Sequence, residues 1–487
     1  MRLVDVFYGM LSMLVLLGLQ ACDQGDQLKR VNFEVDNVSL IRNPGMGWTI
    51  YDDANDHVAN AEEFWQQQDT IARRYATTLY VRWRWSDMEP EEGKYAWEYD
   101  ENFKDLIKGA LDRGLKLAFR VYVASQDNEY ESTPGYVFDA GAKYYMGKGI
   151  NGAVRSPYPD DPIFQSKFET FVKAFAREFD DPARVNYVDG YNLGLWGEGH
   201  GLVFQKRERA VEVFDWITSL YGQSFTRVPL VITVASEIGH EQELKYAIER
   251  YGYAIRRDGY ASCWMPEAQQ TLIQGLFPQC FVVAECCYWQ DRTIEWVNSV
   301  EREFKWNSWA DYYKQVVDLA LNTHANYLDL REAVEAIRWT GDAPEQVKRF
   351  LSEGGYRIYP VELRYPQSIQ QGDSLCISHS WTNIGVGVLP NNNRAWNYKY
   401  KVAFCLEDKD GNTVKMWYSS QAEPSDWVNQ KQMHYADHFA CDGLNSGKYR
   451  LMVGIVNTHT GEAEITLAVK ERKEQTNWLP LDELQIR

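Results

Sequence analysis

Two glutamates stand out by where they sit in the chain. Glu198 lies in Leu195-Trp196-Gly197-Glu198-Gly199-His200, where the flanking glycines let the backbone bend and hold a carboxylate at the end of a run. Glu285 ends Phe281-Val282-Val283-Ala284-Glu285, an apolar run that stops at a charge, and such a group is costly to bury unless it is paired or functional. A pair of carboxyls can split an acetal: one protonates the leaving oxygen, the other attacks the carbon or activates water. Asp87, Glu89, Asp127, Glu237 and Asp329 also lie in or just after apolar runs, so the choice of pair depends on which elements carry them.

Those elements alternate. Between Asn43 and Arg338, eight short β-type runs are separated by longer amphipathic stretches: 45–50, 78–85, 115–124, 188–196, 228–235, 259–264, 280–285 and 325–330. The intervening patterns predict helices at 101–113, 162–179, 206–221, 242–250 and 308–321. Eight alternations over this length predict an α/β fold, a (β/α)8 TIM barrel, whose site lies at the carboxyl ends of the strands. Glu198 and Glu285 then close runs four and seven. After Gly354-Gly355 helical periodicity stops and β-rich runs with turn signals follow, which predicts an Ig-like β-sandwich over 353–487 behind a barrel over 39–352.

Composition narrows the partner. A net charge of -18 lacks the basic face that nucleic acid requires, whereas 18 Trp and 31 Tyr suit stacking on sugar rings. No dinucleotide or P-loop signature follows the early strands. Metal-spaced His and Cys sets are missing too, so no cofactor and no metal are expected. Seven cysteines beyond Cys22 specify no disulfide framework, and adjacency of Cys286 and Cys287 in a strand would point their thiols apart.

The strand-two segment Trp85-Ser86-Asp87-Met88-Glu89-Pro90-Glu91-Glu92-Gly93-Lys94-Tyr95 resembles the W-x-x-x-E-P-x-x-G-x-Y segment of β-galactosidase-like clan A glycoside hydrolases. Arg42-Asn43-Pro44-Gly45-Met46-Gly47-Trp48 and the trailing β-region resemble bacterial relatives of that clan. The resemblance implies a retaining glycoside hydrolase acting on a polysaccharide or oligosaccharide, with Glu198 as acid/base and Glu285 as nucleophile. Gly197 stands where the clan usually places Asn, so Asn192 or a residue on another strand would have to meet the sugar 2-hydroxyl. Near neutral pH these roles need a raised pKa at Glu198 and an ionised Glu285, with Arg82, Arg84 or Arg120 available to hold the nucleophile charged.

Candidate substrate contacts are Trp48, Arg82, Trp85, Glu89, Arg120, Tyr122, Asn192, Trp196, His200, His240, Trp264, Tyr288 and Trp289, each near a presumed strand end. The alternatives are a glycan-binding protein without catalysis, an inverting hydrolase, or a lyase. Carboxyl separations of roughly 5 to 5.5 Å fit retention and roughly 6.5 to 9.5 Å fit inversion. At the amino terminus, Met1-Arg2, the apolar run Val6 to Leu19 and Leu19-Gln20-Ala21-Cys22 resemble a lipoprotein signal over 1–22. That implies lipidation at Cys22, a tether over 23–38 and an outer-membrane lipoprotein reaching the membrane only through its anchor.

Overall fold

The computed structural model describes residues 28–53, 57–234, 241–472 and 476–487. Cys22, Glu237 and His240 lie outside them. The chain divides into two compact units, one built from the residues up to Asn43 with Tyr356–Asn391 and Tyr398–Arg487, the other from Pro44–Gly355 and Asn392–Asn397.

The second unit is a closed barrel of parallel strands: β1 Gly47–Tyr51, β2 Ala76–Arg84, β3 Lys116–Tyr122, β4 Val185–Asp189, β5 Leu230–Thr233, β6 Ala254–Tyr260, β7 Val282–Cys286 and β8 Ala325–Asp329. They pair in chain order and β8 closes on β1. Helices follow the predicted amphipathic stretches closely. Pro162–Phe179 begins at an Asp161 side chain that accepts from Ile163 and Phe164 N–H, and it buries Phe164, Phe168, Phe171 and Phe175 against the barrel.

Two strands fall elsewhere than the apolar runs suggest. β4 ends at Asp189, and residues 190–196 form a loop rather than the tail of a strand. β6 occupies Ala254–Tyr260 instead of 259–264, because Arg256 and Asp258 break its apolar signature while Ala254, Ile255 and Tyr260 remain fully buried.

Trp48 is not a substrate contact. It faces outward from β1, fully buried, with its indole N–H donating to Val347 O at 3.0 Å and its ring against Trp339 and Phe350. Alternation along a strand explains this: Thr49 and Tyr51 take the inner face and leave Trp48 and Ile50 for the helices.

The other unit is sheet-rich. One sheet runs Leu28–Asn32, Ile358–Pro366, Ser374–Asn383 and Met433–Ala440, all antiparallel. The second contains Ser368–Ile369, Leu479–Ile486, Gly447–Asn457, Tyr400–Glu407 and Thr413–Tyr418, with Glu462–Ile465 on Gly447–Asn457. Phe404 of the second sheet packs on His379 and Phe439 of the first. The expected tether over 23–38 is therefore corrected: Leu28–Asn32 is an edge strand registered on Ile358–Pro366. Its polar side chains do not prevent this, since backbone groups make the ladder. Within the described residues no helix is long and apolar enough to cross a membrane.

Candidate active site

The barrel lumen is lined by aromatic rings rather than aliphatic layers. Tyr187 and Tyr327 meet with centroids 5.1 Å apart, and Tyr51 and Tyr80 meet at 4.7 Å. Above them lie guanidiniums: Arg120 and Arg256 over Tyr80, with their carbons 5.7 and 4.8 Å from its centroid, and Arg331 5.3 Å from that of Tyr51. Burial pushes the Tyr51 and Tyr80 hydroxyls well up from their ordinary range, so both remain neutral donors. Tyr80 donates to Asp189 Oδ2 at 2.7 Å.

Carboxylates and arginines then alternate across the mouth. Arg120 Nη1 donates to Glu198 Oε1, and its Nη2 reaches Asp189 Oδ1 at 3.4 Å. Arg256 Nε lies 3.8 Å from the same Asp189 oxygen, and its Nη2 pairs with Glu285 Oε2 and donates to the Tyr51 hydroxyl at 3.0 Å. Arg331 Nη1 pairs with Glu285 Oε1, while its Nε meets Asp329 Oδ2 at 3.0 Å. Glu198 and Glu285 are 6 % and 2 % exposed. The two glutamates thus share one end of the barrel and one charge network, linked through Arg120, Asp189 and Arg256.

The electrostatics differ from expectation at Glu198. Burial alone would raise its pKa, but Arg120, Arg82, Arg256 and His200 overcome that and bring it down to about 2. In this arrangement Glu198 is a carboxylate, not a proton donor. Arg120, anticipated as a partner of the nucleophile, pairs with Glu198 instead, and Arg84 is taken by Asp87, with Nε 2.6 Å from Oδ2. Glu285 is held by Arg256 and Arg331, neither of which its sequence context singled out.

The loop that presents Glu198 is held by its backbone. Trp196 N–H donates to Ala124 O at 2.8 Å, Leu195 N–H to His200 O at 2.8 Å and Gly199 N–H to Leu193 O at 2.9 Å. Gly197 has φ +74°, and a Cβ there would sit 3.1 Å from Tyr122 Cβ and 3.3 Å from Arg120 Cδ. Any side chain at 197 would require Tyr122 or Arg120 to give way by a few tenths of an ångström. Trp196 itself adopts φ 58°, a strained value for a bulky residue, and its indole N–H donates to Asp127 Oδ2 at 2.6 Å.

Several expected contacts serve the scaffold instead. Asn192 donates from Nδ2 to Asp189 O and to the Tyr221 hydroxyl, both at 2.7 Å, so its amide nitrogen braces the loop. Tyr288 donates to Glu301 Oε2 at 2.9 Å and packs against Trp306 and Tyr312. Tyr122 is buried under Arg82, and its hydroxyl accepts from Asn128. Trp85 is buried among Phe164, Phe168 and Phe171. Its N–H donates to Glu89 Oε2 at 2.9 Å; Glu89 also accepts from Gly93 N–H at 2.8 Å and from the Tyr136 hydroxyl at 2.7 Å. The conspicuous strand-two segment is a self-closing loop. Glu89→Gln is expected to lower stability by about 1–3 kcal/mol through mispaired donors, read by urea denaturation, with little change in glycan affinity.

At the mouth remain Arg82, Trp196, His200, Trp264 and Trp289. His200 Nε2 lies 3.8 Å from Glu198 Oε2, and its ring meets Trp196 edge-on. Trp289 stacks beneath Arg331, 4.3 Å from the guanidinium carbon, and Trp264, just after β6, is 67 % exposed. Ligand atoms of Glu198, His200 and Asp258 lie within 4.8 Å of one another. Those donor types could hold a cation, but Arg120 and Arg257 already neutralise the two carboxylates and Arg82 and Arg256 add further positive charge. Asp52, pushed up to about 7 by burial, accepts from Trp83 Nε1 at 2.5 Å on the helix side of the wall. Cys286 and Cys287 are both free thiols.

No family model matches the sequence, and no curated protein matches it. Solved structures to which this chain is similar include the catalytic domain of a β-amylase from Paenibacillus polymyxa, at 9% identity and TM-score 0.43, covering 62% of this chain and 96% of that one. A glycoside hydrolase family 5 enzyme from Prevotella bryantii B14 matches at 11% identity and TM-score 0.40, over 66% of this chain and 99% of its own. Endo-glycoceramidase II from Rhodococcus sp. matches at 12% identity and TM-score 0.37, over 80% and 97%.

Proposed function

We propose that this chain is a retaining glycoside hydrolase in which Glu285 is the nucleophile and Glu198 the acid/base. The observation that carries the reading is the convergence of both glutamates on one arginine network at the carboxyl end of the barrel. Arg256 and Arg331 pair with the two Glu285 oxygens, and opposite charges at that range favour the carboxylate form that a nucleophile requires. For Glu198 to give a proton to a leaving group, a bound substrate must draw Arg120 away from it, after which burial raises its pKa. Arg82, His200, Trp196, Trp264 and Trp289 then meet the sugar.

A second reading, glycan binding without turnover, is favoured by one specific feature: both Glu285 oxygens are in guanidinium contact, leaving neither open for attack. A panel of chromogenic glycosides and polysaccharides, with product configuration followed by NMR, separates the two. Hydrolysis with retained configuration supports the first; tight binding of a glycan that is never cleaved supports the second, and inverted product replaces retention with a water-mediated route. We also propose lipid anchoring through Cys22 in the cell envelope, with no nucleic-acid partner, which labelling with radioactive palmitate checks.

A further inference from the structure

The loop after β3 carries a hairpin, Tyr144–Gly149 paired antiparallel with Gly152–Pro157, whose tip is Ile150-Asn151. Its inner side holds Tyr145 against Tyr158. Its outer side is apolar where a soluble hairpin is ordinarily polar: Tyr144, Met146 and Ile150 are 44 %, 58 % and 61 % exposed. Lys143 and Lys148 are exposed beside them, and neither forms an ion pair with another described residue. Arg155, across from Met146, is spent on Glu131.

We propose that this hairpin docks the barrel mouth onto an anionic lipid surface. The composition selects the occupant. A sugar chain is gripped by flat aromatic faces, whereas Met and Ile beside Tyr and two lysines is the mixture that settles at a bilayer interface: aliphatic tips below the headgroups, Tyr at their level, ammonium groups on the phosphates. In a chain of net charge -18, Lys148 near the tip and Lys143 at the base of the hairpin, neither in an ion pair with another described residue, are local charge complementarity to anionic lipid. The hairpin is also fixed to the site end of the barrel. Ile150 N–H donates to Asn128 O at 3.1 Å, and Asn128 Nδ2 donates to the Tyr122 hydroxyl at the end of β3. Ala124, two residues on, accepts from Trp196 in the Glu198 loop. The inference goes beyond the proposed hydrolysis and does not depend on it.

The test uses the full chain reconstituted into phosphatidylcholine vesicles with or without phosphatidylglycerol and a headgroup-borne photoreactive lipid, adducts being mapped by mass spectrometry. Adducts are expected on residues 144–153 in the phosphatidylglycerol vesicles, in addition to any at the amino terminus. Lys143→Gln with Lys148→Gln should reduce hairpin labelling roughly 30-fold, since each lysine at an anionic surface contributes about a factor of five. Met146→Ser with Ile150→Ser should reduce it as well, and circular dichroism reports that both variants remain folded. Adducts confined to the amino terminus, labelling indifferent to these substitutions, hairpin-to-hairpin cross-links between two copies, or displacement by soluble polysaccharide would each overturn the proposal.

Discussion

Replacing Arg120 by methionine lowers folding stability by about 3–5 kcal/mol at neutral pH, the range for a buried ion pair that loses one partner. Arg120 is fully buried and is the largest of the charges that keep Glu198 ionised. In the parent the folded-state pKa of Glu198 is about 2 against an ordinary 4.5. Its ionisation therefore stabilises the fold above about pH 4.5, and that contribution, about 3 kcal/mol, is lost as pH falls from 4.5 toward 2. With Arg120 removed, Glu198 loses the largest charge opposing its burial while Arg82, Arg256 and His200 remain, so its pKa rises from about 2 toward the ordinary range. The pH dependence flattens: the variant loses less of its stability than the parent does as pH falls below about 4.5. Adding Glu198→Gln to Arg120→Met removes the uncompensated charge and should recover most of the loss. Urea denaturation from about pH 3 to about pH 8 reads all three chains. An Arg120→Met chain as stable as the parent, with the same pH slope, would show that Glu198 is solvated and that the network does not control it.

That network was only half legible in the sequence. Glu198 and Glu285 could be read because each ends an apolar run, and the barrel could be read because eight such runs recur between amphipathic stretches. Arg256 and Asp258 escaped because an inward-facing charge interrupts the very pattern by which a strand is recognised. Asp189 and Arg331 escaped for a different reason: each lies where a strand gives way to its loop, and only the closure of the cylinder brings them to Glu198 and Glu285. The tryptophans mislead in the opposite direction. Trp48 and Trp85 sit at strand ends in sequence, yet alternation turns one outward and the other is consumed by the Glu89 loop. Spacing located the strand ends well; the direction in which each side chain leaves its strand required the fold.

Glu198→Gln and Glu285→Gln should fail in different ways on an aryl glycoside with a good leaving group. Such a substrate departs without being protonated, so the first half-reaction needs the nucleophile but not the acid. In the Glu198→Gln chain Glu285 still attacks, and the base that activates water for the second half-reaction is missing. A burst of released phenol should be followed by turnover about 10²- to 10⁴-fold slower than the parent. A glycosyl adduct on Glu285 should then appear by mass spectrometry. The Glu285→Gln chain should show no burst and no adduct, with activity down about 10⁴-fold or more. It should also be less stable, because Arg256 and Arg331 lose the charge between them, Asp189 and Asp329 compensating only in part. If neither variant accumulates an adduct while both lose turnover, water attacks directly and retention fails. If the parent itself binds but never cleaves, the guanidiniums on Glu285 have closed the nucleophile for good, and the barrel is a receptor for glycans built on the frame of a hydrolase.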